Sequence, residues 1–280
     1  MNPEASVILS AYNQPRELEA VLSGYCRQSL GAFEIVVADD GSGPEIRALV
    51  DWFASRAPFA LRHVYQPDEG FRKSRVLNAA VRQSRSEYLI FADEDCVPHR
   101  DFVRAHWEHR ASRTVLCGRR VLLSRELSRA VTAQQVAAGA LERFSPSKIM
   151  DALLGRGSHW DEAIPVTVPF LHNLLFRREP GILGSNFSLE KSLYREIKGF
   201  DEAFVGYGGE ETDLERRLRL AGARFRWVTH RAIQYHLYHA PRQETLRTAR
   251  RASDEARPTS VPVPSSPVTS YQQSPPLADS

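Results

Sequence analysis

The chain has 280 residues, 42% of them hydrophobic, and 37 basic against 34 acidic residues give a formal net charge of +3. This is the composition of a globular protein with a full core, and so small a charge excess does not by itself indicate a nucleic-acid-binding protein. The 3 cysteines, at positions 26, 96 and 117, form neither a disulfide framework nor a CxxC zinc motif, which favours a reducing compartment.

The first half of the chain alternates short apolar runs with amphipathic segments. The pattern predicts strands at residues 6–11, 33–38, 61–65 and 88–92, and helices at 16–29, 44–56 and 73–85. This alternation is typical of an α/β fold with a mostly parallel central sheet flanked by helices. Ligands bind such sheets at the carboxyl ends of the strands. Polar clusters follow the predicted strands at residues 10–14, 39–43 and 93–95.

The second half has a less regular pattern. Helices are predicted at residues 101–112 and 126–143, with a short strand between them near 115–122. A glycine-rich, acidic segment begins at residue 181 and extends to about 240. From residue 258 the chain is rich in proline and serine and almost uncharged, which predicts a disordered tail.

An acidic triplet, Asp93-Glu94-Asp95, directly follows the apolar run at 88–92. Alternate residues of an extended segment face the same side, so Asp93 and Asp95 are expected to converge on one point. Two carboxylates suit Mg²⁺ or Mn²⁺, which keep positions open for substrate phosphates. A solvated acidic turn is the alternative, but the apolar residues after Asp95 favour a position at the edge of the sheet.

A second acidic pair, Asp39-Asp40, follows the run at 33–38 and is itself followed by Gly41 and Ser42. A carboxylate at this position can accept a hydrogen bond from a nucleotide base or a ribose hydroxyl. Gly41 would allow a sharp turn with positive φ. A simple strand-to-turn connection explains the same residues equally well.

The segment Gly206–Leu214 combines three glycines with Tyr207 and with acidic residues that include Glu210 and Glu211. Acidic side chains stabilise the N-terminus of the helix predicted after this loop, but that role does not explain the glycines. Glycines allow the backbone to approach a substrate, Tyr207 offers a face for a sugar ring, and a neighbouring carboxylate can act as a general base. We therefore expect this segment to belong to an active site.

Two histidines, His236 and His239, lie three residues apart near the end of the region predicted to be folded. A helix or a turn would bring their rings together. Either one is a candidate for a third metal ligand beside the two aspartates, although a lone histidine is more often a structural residue.

Taken together, these segments resemble a family 2 glycosyltransferase with the GT-A fold over roughly residues 5–240. The resemblance is carried in the first half by Ser6–Asn13, Val36–Ser42, Glu69–Asn78 and Tyr88–Pro98. In the second half, Gly184–Ser188, Gly199–Glu202 and Gly206–Leu214 resemble the acceptor-side domain of β-galactosyltransferases. A nucleotidyltransferase would carry a glycine-rich, basic phosphate-binding loop after the first strand, and the loop Tyr12–Arg16 does not fit that pattern. A nucleotidyltransferase and a non-catalytic sugar-nucleotide-binding protein remain the alternatives.

The resemblance implies an inverting transfer from a UDP-sugar to an acceptor hydroxyl, with Mn²⁺ or Mg²⁺ as cofactor. It implies a donor site at Ser10, Ala11, Tyr12, Asp39, Asp40, Arg72, Lys73, Asp93 and Glu94. It implies acceptor contacts at Asn186, Tyr207, Gly208, Gly209 and Glu210. It implies metal ligands at Asp93, Asp95 and His236, with His239 as the competitor of His236. Glu211 stands where the family usually has an aspartate as general base, and Glu210 is the alternative base.

These assignments divide the chain into four regions. They are a nucleotide-sugar-binding half at 1–118, a helical insert at 119–180, an acceptor and base region at 181–240, and an extension at 241–280. The start of the chain lacks a basic leader, and no apolar run reaches the roughly 20 residues of a membrane helix. We expect a cytoplasmic enzyme, at most peripheral to the inner face of a membrane, that takes a glycan or glycolipid acceptor and no nucleic acid.

Overall fold

The computed structural model describes residues 2–143, 157–160, 179–204, 206 and 208–239. Tyr207 and the predicted tail from residue 258 therefore lie outside the described residues. The strands are β1 Ala5–Ala11, β2 Phe33–Asp39, β3 Ala60–Tyr65, β4 Tyr88–Asp93, β5 Cys96–Pro98, β6 Thr114–Cys117, β7 Val121–Leu122, β8 Phe187–Glu190, β9 Arg224–Trp227 and β10 Gln234–His236. The helices are α1 Pro15–Tyr25, α2 Pro44–Ala54, α3 Lys73–Gln83, α4 Phe102–Glu108, α5 Arg125–Ala130, α6 Ala133–Ala137, α7 Lys191–Glu196 and α8 Glu210–Leu220, with a short 3₁₀ turn at Ala140–Glu142.

Seven strands form one sheet in the order β3-β2-β1-β4-β8-β6-β9. The first four strands are parallel to one another, and β8 is antiparallel to both of its neighbours. The expected mostly parallel α/β sheet is therefore confirmed. Strand β1 lies between β2 and β4, which is the point where the strand order reverses and where open α/β sheets bind their ligands.

The core lies on both faces of this sheet. Neighbouring residues of β1 belong to different hydrophobic clusters, with Val7 and Leu9 in one and Ile8 in the other. Strands buried on both faces read as continuous apolar runs, which is why the sequence reveals β1, β2 and β4 so clearly. Helices α1 and α2 carry buried side chains on one face of the sheet, and α3 and α8 on the other.

A second sheet of three strands has the order β5-β10-β7. Strand β10 pairs antiparallel with β5, with His236 opposite Cys96, and parallel with β7. The strand predicted near 115–122 is in fact two strands, β6 and β7, which belong to different sheets. Gly118 separates them, and a Cβ atom there would overlap the buried amide of Asn186.

The helix predicted at 126–143 is divided into three short pieces. The cause is local, because Thr132 begins a new helix with a capping box in which its hydroxyl and the side chain of Gln135 bond to each other's backbone N–H. Helix α5 ends just before, at Ala130. None of the helices in the described part of the chain has the length and apolar character needed to span a bilayer.

Candidate active site

The ends of β1, β2 and β4 are tied together by hydrogen bonds. Ala11 O accepts from Asp40 N at 3.1 Å, and Ser10 O accepts from Glu94 N at 3.1 Å. Glu94 Oε1 in turn accepts from Tyr12 N at 2.7 Å. A cleft of ≈ 480 Å³ opens over these strand ends, a size suited to a small-molecule ligand. Its polar lining includes Tyr12, Asp40, Lys73, Asp93, Glu94, Asp95, Arg120, Glu210, Glu211, His236 and His239.

The two residues of the Asp39-Asp40 pair differ in position, because Asp40 lines the cleft and Asp39 does not. Asp39 is 1% exposed, and its carboxylate accepts from Ser42 N at 2.8 Å and lies 2.8 Å from His63 Nε2. Burial opposes ionisation, but the bonds with His63 and Ser42 keep the pKa of Asp39 below its usual value. Asp40 lines the cleft, and its oxygens accept from Gln66 Nε2 at 2.5 Å and Arg72 N at 2.8 Å. Gly41 has the expected positive φ, +95°.

The acidic triplet does not alternate as an extended segment would. Strand β4 ends at Asp93, a turn covers Glu94 and Asp95, and β5 begins at Cys96. Asp93 Oδ1 accepts from Ser10 Oγ at 2.5 Å and from Lys73 Nζ at 2.7 Å. Asp93 and Asp95 both line the cleft, but the argument from strand alternation is wrong, because the turn gives each carboxylate its own set of neighbours.

Asp95 is the centre of a cluster at one end of the cleft. Its Oδ2 lies 3.3 Å from His236 Nε2 and 3.3 Å from His239 Nε2, and its Oδ1 accepts from Cys96 Sγ at 3.2 Å. Burial by itself would raise the pKa of Asp95, but the two histidines hold it well below its usual range. Ligand atoms of Asp95, Cys96 and His236 lie within 4.8 Å of one another, and this is the one such group found among the described residues.

The two histidines meet without a helix or turn between them. His236 is the last residue of β10, and pairing with β5 places it beside the acidic turn. Leu237 N donates to Asp95 O at 2.8 Å, which fixes the chain in this register. The ring centroids of His236 and His239 are 5.0 Å apart. The structure thus brings Asp95 and His236 within 3.3 Å of each other, and Asp93 is not part of the ligand group that these two residues form with Cys96.

Arg72 and Lys73, adjacent in sequence, point in different directions. The Lys73 ammonium lies in the cleft, where burial lowers its pKa but Asp93 and Glu211 raise it further, so the net shift is upward. The Arg72 guanidinium instead pairs with Glu69 at 3.3 Å at the surface, and only its backbone N–H serves the site, through Asp40. Of the two expected basic contacts, Lys73 alone lines the cleft.

Two carboxylate oxygens in the cleft have no hydrogen-bond partner among the residues that the structure describes. Glu94 Oε2 and Glu210 Oε2 are both buried and unpartnered, and each residue is 6% exposed. Burial raises the pKa of Glu94 well above its usual value. An unpaired buried carboxylate oxygen is costly, so both oxygens are suited to a donor group from a ligand.

The glycine loop has the geometry that only glycine adopts readily. Gly206, Gly208 and Gly209 have φ values of +95°, +101° and +99°, and Gly209 is the residue before α8. The loop places Glu211 against Gly184, where any Cβ atom would collide with the Glu211 carboxylate. Burial is the main cause of a raised pKa at Glu211, with Asp93 and Glu210 adding to it and Lys73 and the Gly184 N–H opposing it. Gly208 and Gly209 themselves do not line the cleft.

Asn186 is not in the cleft. It is 0% exposed, and its side chain donates to Arg119 O at 2.6 Å and Ala232 O at 3.0 Å. Its Oδ1 lies 3.0 Å from His106 Nε2. The expected acceptor contact at Asn186 is wrong because all of its polar atoms bond within the protein.

Arg120 lines the cleft, although no motif in the sequence includes it. It follows Gly118 at the end of β6, and it donates to Ser185 Oγ at 3.3 Å. Burial lowers its pKa, but Cys96, Asp93 and Asp95 more than compensate and raise it. An Arg-Arg pair after a strand is typical of a surface turn, so no local signal could have identified it.

The carboxyl edge of this mostly parallel sheet holds carboxylates, two cations and a histidine-aspartate cluster, and open α/β sheets bind their ligands at this edge. The sequence model described as glycosyl transferase family 2 matches residues 6–163, more than half of the chain. The chain belongs to this family. A second model, described as the N-terminal domain of galactosyltransferase, matches residues 175–240. Membership in the family favours glycosyl transfer over nucleotidyl transfer.

Over the aligned residues, the two curated relatives named here are 26% identical to this chain. Chondroitin synthase from Escherichia coli is 26% identical over 82% of this chain and 34% of its own length. Validoxylamine A glucosyltransferase from Streptomyces hygroscopicus subsp. jinggangensis (strain 5008) is 26% identical over 79% of this chain and 52% of its own length. This chain therefore spans only a third to a half of these two relatives.

Solved structures share the fold. The mannosyltransferase PcManGT from Pyrobaculum calidifontis, in complex with GDP-Man and Mn²⁺, has a TM-score of 0.55 at 18% identity over 89% of this chain and 61% of that one. S. aureus TarS 1-349 has a TM-score of 0.54 at 17% identity over 84% of this chain and 60% of that one. These matches confirm the GT-A glycosyltransferase fold.

Proposed function

We propose that this chain transfers a sugar from a UDP-sugar to a hydroxyl of a glycan or glycolipid, with a divalent metal ion and with inversion at the anomeric carbon. The observation that carries the proposal is one cleft that collects Asp40, the Asp95–His236 cluster and Glu211. Bacterial surface polysaccharide synthesis on the cytoplasmic side of the membrane is the setting we propose, and relatives named for glycan synthesis support it.

The nucleotide would bind over the ends of β1 and β2. Tyr12 and Asp40 line that part of the cleft, and Asp40 is already held in place by Gln66 and the backbone of Arg72. A carboxylate fixed in this way can accept from the base or the ribose without reorganising. Glu94 Oε2, which has no partner, can accept from a second ribose hydroxyl.

The donor set fits a divalent cation. Asp95 and His236 already lie together, and Asp93 lines the same cleft. Carboxylate oxygens suit Mn²⁺ and Mg²⁺, and an imidazole nitrogen is a better ligand for Mn²⁺ than for the harder Mg²⁺. The ion would stabilise the negative charge that develops on the departing diphosphate. Lys73 and Arg120 provide fixed positive charge in the same cleft and can bind phosphate oxygens directly.

Glu211 would accept the proton of the acceptor hydroxyl as that oxygen attacks the anomeric carbon. Its raised pKa makes it a stronger base than an exposed glutamate, and its contact with Gly184 fixes its carboxylate. Glu210 is the alternative base because its Oε2 lacks a partner. Attack from the face opposite the diphosphate would give inversion.

The test measures hydrolysis and transfer with a panel of UDP-sugars in Mn²⁺, Mg²⁺ and EDTA, with GDP-mannose as the comparison donor. Calorimetry of UDP and GDP binding, each with and without Mn²⁺, provides a readout independent of the acceptor. We expect UDP to bind in a metal-dependent manner and at least one UDP-sugar to be turned over. Binding of neither nucleotide, or turnover that EDTA leaves unchanged, would contradict the proposal.

A further inference from the structure

A second cavity, of ≈ 340 Å³, adjoins the cleft and shares Tyr238 and His239 with it. We call it the arginine pocket, and it is lined by Arg16, Arg125, Ser128, Arg129, Tyr238 and His239. Three of these six residues are arginines, and no acidic residue is among them. Its position places it at the end of the cleft where Asp95, His236 and His239 cluster.

Arg16 is held rigidly at the wall of the arginine pocket. Its Nη2 donates to three backbone carbonyls, Ser128 O at 2.8 Å, Arg129 O at 3.1 Å and Val131 O at 2.9 Å. These carbonyls lie at the C-terminal end of α5, where a cation is favourable. The guanidinium of Arg16, which also lies 3.5 Å from Glu17 Oε1, is therefore fixed before any ligand arrives.

Arg125 and Arg129 lie four residues apart on α5 and so share one face of the helix. Both are exposed, and among the described residues neither has an ion pair with a carboxylate. Other arginines of the chain are paired, as Arg27 is with Glu142 at 2.6 Å and Arg217 with Asp213 at 2.7 Å. Two like charges at this spacing repel each other, and an anion between them would remove that repulsion.

We propose that the arginine pocket binds a phosphate or carboxylate group of the acceptor, so that this enzyme prefers an anionic acceptor. The inference rests on the proposed function, since the donor diphosphate would lie in the main cleft beside Asp95, Lys73 and Arg120. Tyr238 and His239 would separate an anion in the arginine pocket from the donor diphosphate, so we assign this anion to the acceptor. Guanidinium groups recognise both carboxylate and phosphate through paired hydrogen bonds.

The test compares wild type with the double variant Arg125→Gln/Arg129→Gln. Both proteins are saturated with Mn²⁺ and UDP and then titrated with methyl β-D-glucuronide, methyl phosphate or neutral methyl β-D-glucoside, with binding followed by NMR. We expect one anionic probe to bind wild type at least about 10-fold more tightly than the double variant, since a hydrogen bond to a charged group contributes that much. The neutral glucoside will not distinguish the two proteins. The better of the two anionic probes identifies the group as carboxylate or phosphate.

The matched control is Arg226→Gln, which removes one exposed arginine from β9, outside both cavities. It should bind the anionic probes as wild type does. Thermal unfolding gives a second readout, because a ligand of the native state raises the melting temperature of wild type but not of the double variant. Since the replaced side chains are exposed and unpaired, the double variant should fold normally.

Three results would overturn the proposal. The first is anionic probes that bind wild type no more tightly than the glucoside does. The second is equal binding of these probes to wild type and the double variant. The third is weaker UDP binding by the double variant, which would assign the arginines to the donor. UDP binding by wild type is measured on the same samples, so its absence identifies failure of the proposed function, whereas its presence without anion binding contradicts only the arginine pocket.

Discussion

Two acidic groups at the edge of the same sheet have opposite environments. At the ends of β2 and β3, the carboxylates of Asp39 and Asp40 are engaged by His63, Ser42, Gln66 and the backbone of Arg72. On the other side of β1, Glu94 and Glu210 each keep one buried oxygen without a partner. We call Asp39 and Asp40 the nucleotide edge, and Asp95, Glu210 and Glu211 the reaction edge; Glu94, the proposed second ribose contact, belongs to neither.

The difference separates carboxylates that the protein holds in place through hydrogen bonds from buried carboxylates that keep an unpartnered oxygen. A carboxylate whose oxygens are bonded within the protein, as those of Asp39, Asp40 and Asp95 are, is fixed in place before a ligand binds. A buried carboxylate with a free oxygen carries an energetic cost that a ligand or a metal ion can remove. We expect replacement of Asp95 and Glu211, the proposed metal ligand and base, to affect turnover most, and replacement elsewhere to affect binding or stability.

The largest effect is expected for Asp95→Asn. It removes the charge that both His236 and His239 contact, and with it the strongest candidate ligand of the cation. If the metal contributes several kcal/mol to transition-state stabilisation, the transfer rate will fall by about 10³-fold. The measurement is kcat across a Mn²⁺ titration.

Asp51→Asn serves as the control for Asp95→Asn, since Asp51 is an exposed acid on α2, 3.9 Å from Arg47. It should leave kcat unchanged. An Asp95→Asn enzyme with wild-type turnover and an unchanged Mn²⁺ requirement would place the cation elsewhere in the cleft.

A smaller loss is expected for Glu211→Gln, which keeps the size of the side chain but removes its basicity. General base catalysis typically contributes about 10²-fold or more, so kcat should fall by about that factor while UDP binding stays unchanged. Glu210→Gln is the matched comparison, because it makes the same change one residue earlier. A larger loss of kcat in Glu210→Gln than in Glu211→Gln would mean that Glu210 is the general base and Glu211 is not.

Asn186→Ala tests whether Asn186 stabilises the fold and makes no contact with the acceptor. The change leaves His106, Arg119 O and Ala232 O without their partner in a fully buried location. We expect the free energy of unfolding to fall by about 3 kcal/mol, and acceptor KM at low temperature to stay the same. Urea unfolding and acceptor kinetics measured on the same protein check both. A raised acceptor KM in a protein of normal stability would mean that Asn186 does contact the acceptor.

The sequence identifies the nucleotide edge better than the reaction edge. The nucleotide edge follows strands that are visible in the local pattern, whereas the reaction edge is formed by residues that lie far apart in the sequence. Strands β1, β2 and β4 are continuous apolar runs that end in polar residues, so local pattern alone locates Asp39 and Asp40, and also Asp93, which belongs to neither edge. His236 reaches Asp95 only because β10 pairs with β5, more than a hundred residues away in sequence. Such pairings leave no local signature.

The sequence pattern also does not predict the turns or the directions in which side chains point. The alternation argument for Asp93 and Asp95 failed because two residues of turn separate β4 from β5. Arg72 and Lys73 looked equivalent in sequence, yet the start of α3 directs one to the surface and the other into the cleft. Arg120 was not identified because its contacts are with Ser185 and the acidic turn, both distant in sequence.

The smallest expected effect is a shift in the acid limb of the pH–rate profile, and it tests the charges around Glu211. Burial, Asp93 and Glu210 raise the pKa of Glu211, while Lys73 and the Gly184 N–H lower it. The base is active when deprotonated, so kcat should rise with pH through a pKa above the usual glutamate value of about 4.3. In Lys73→Met the opposing positive charge is lost, so this limb should move to higher pH by about one unit.

Arg72→Met is the control for this shift, because it removes a positive charge from the neighbouring residue, whose guanidinium lies at the surface with Glu69. Its acid limb should coincide with that of wild type, since surface charges are screened by solvent and salt. A limb that moves to lower pH in Lys73→Met would mean that another group titrates, because loss of a cation cannot lower the pKa of a carboxyl group. A limb that moves equally in both variants would mean that net charge, and not the position of Lys73 in the cleft, controls the base.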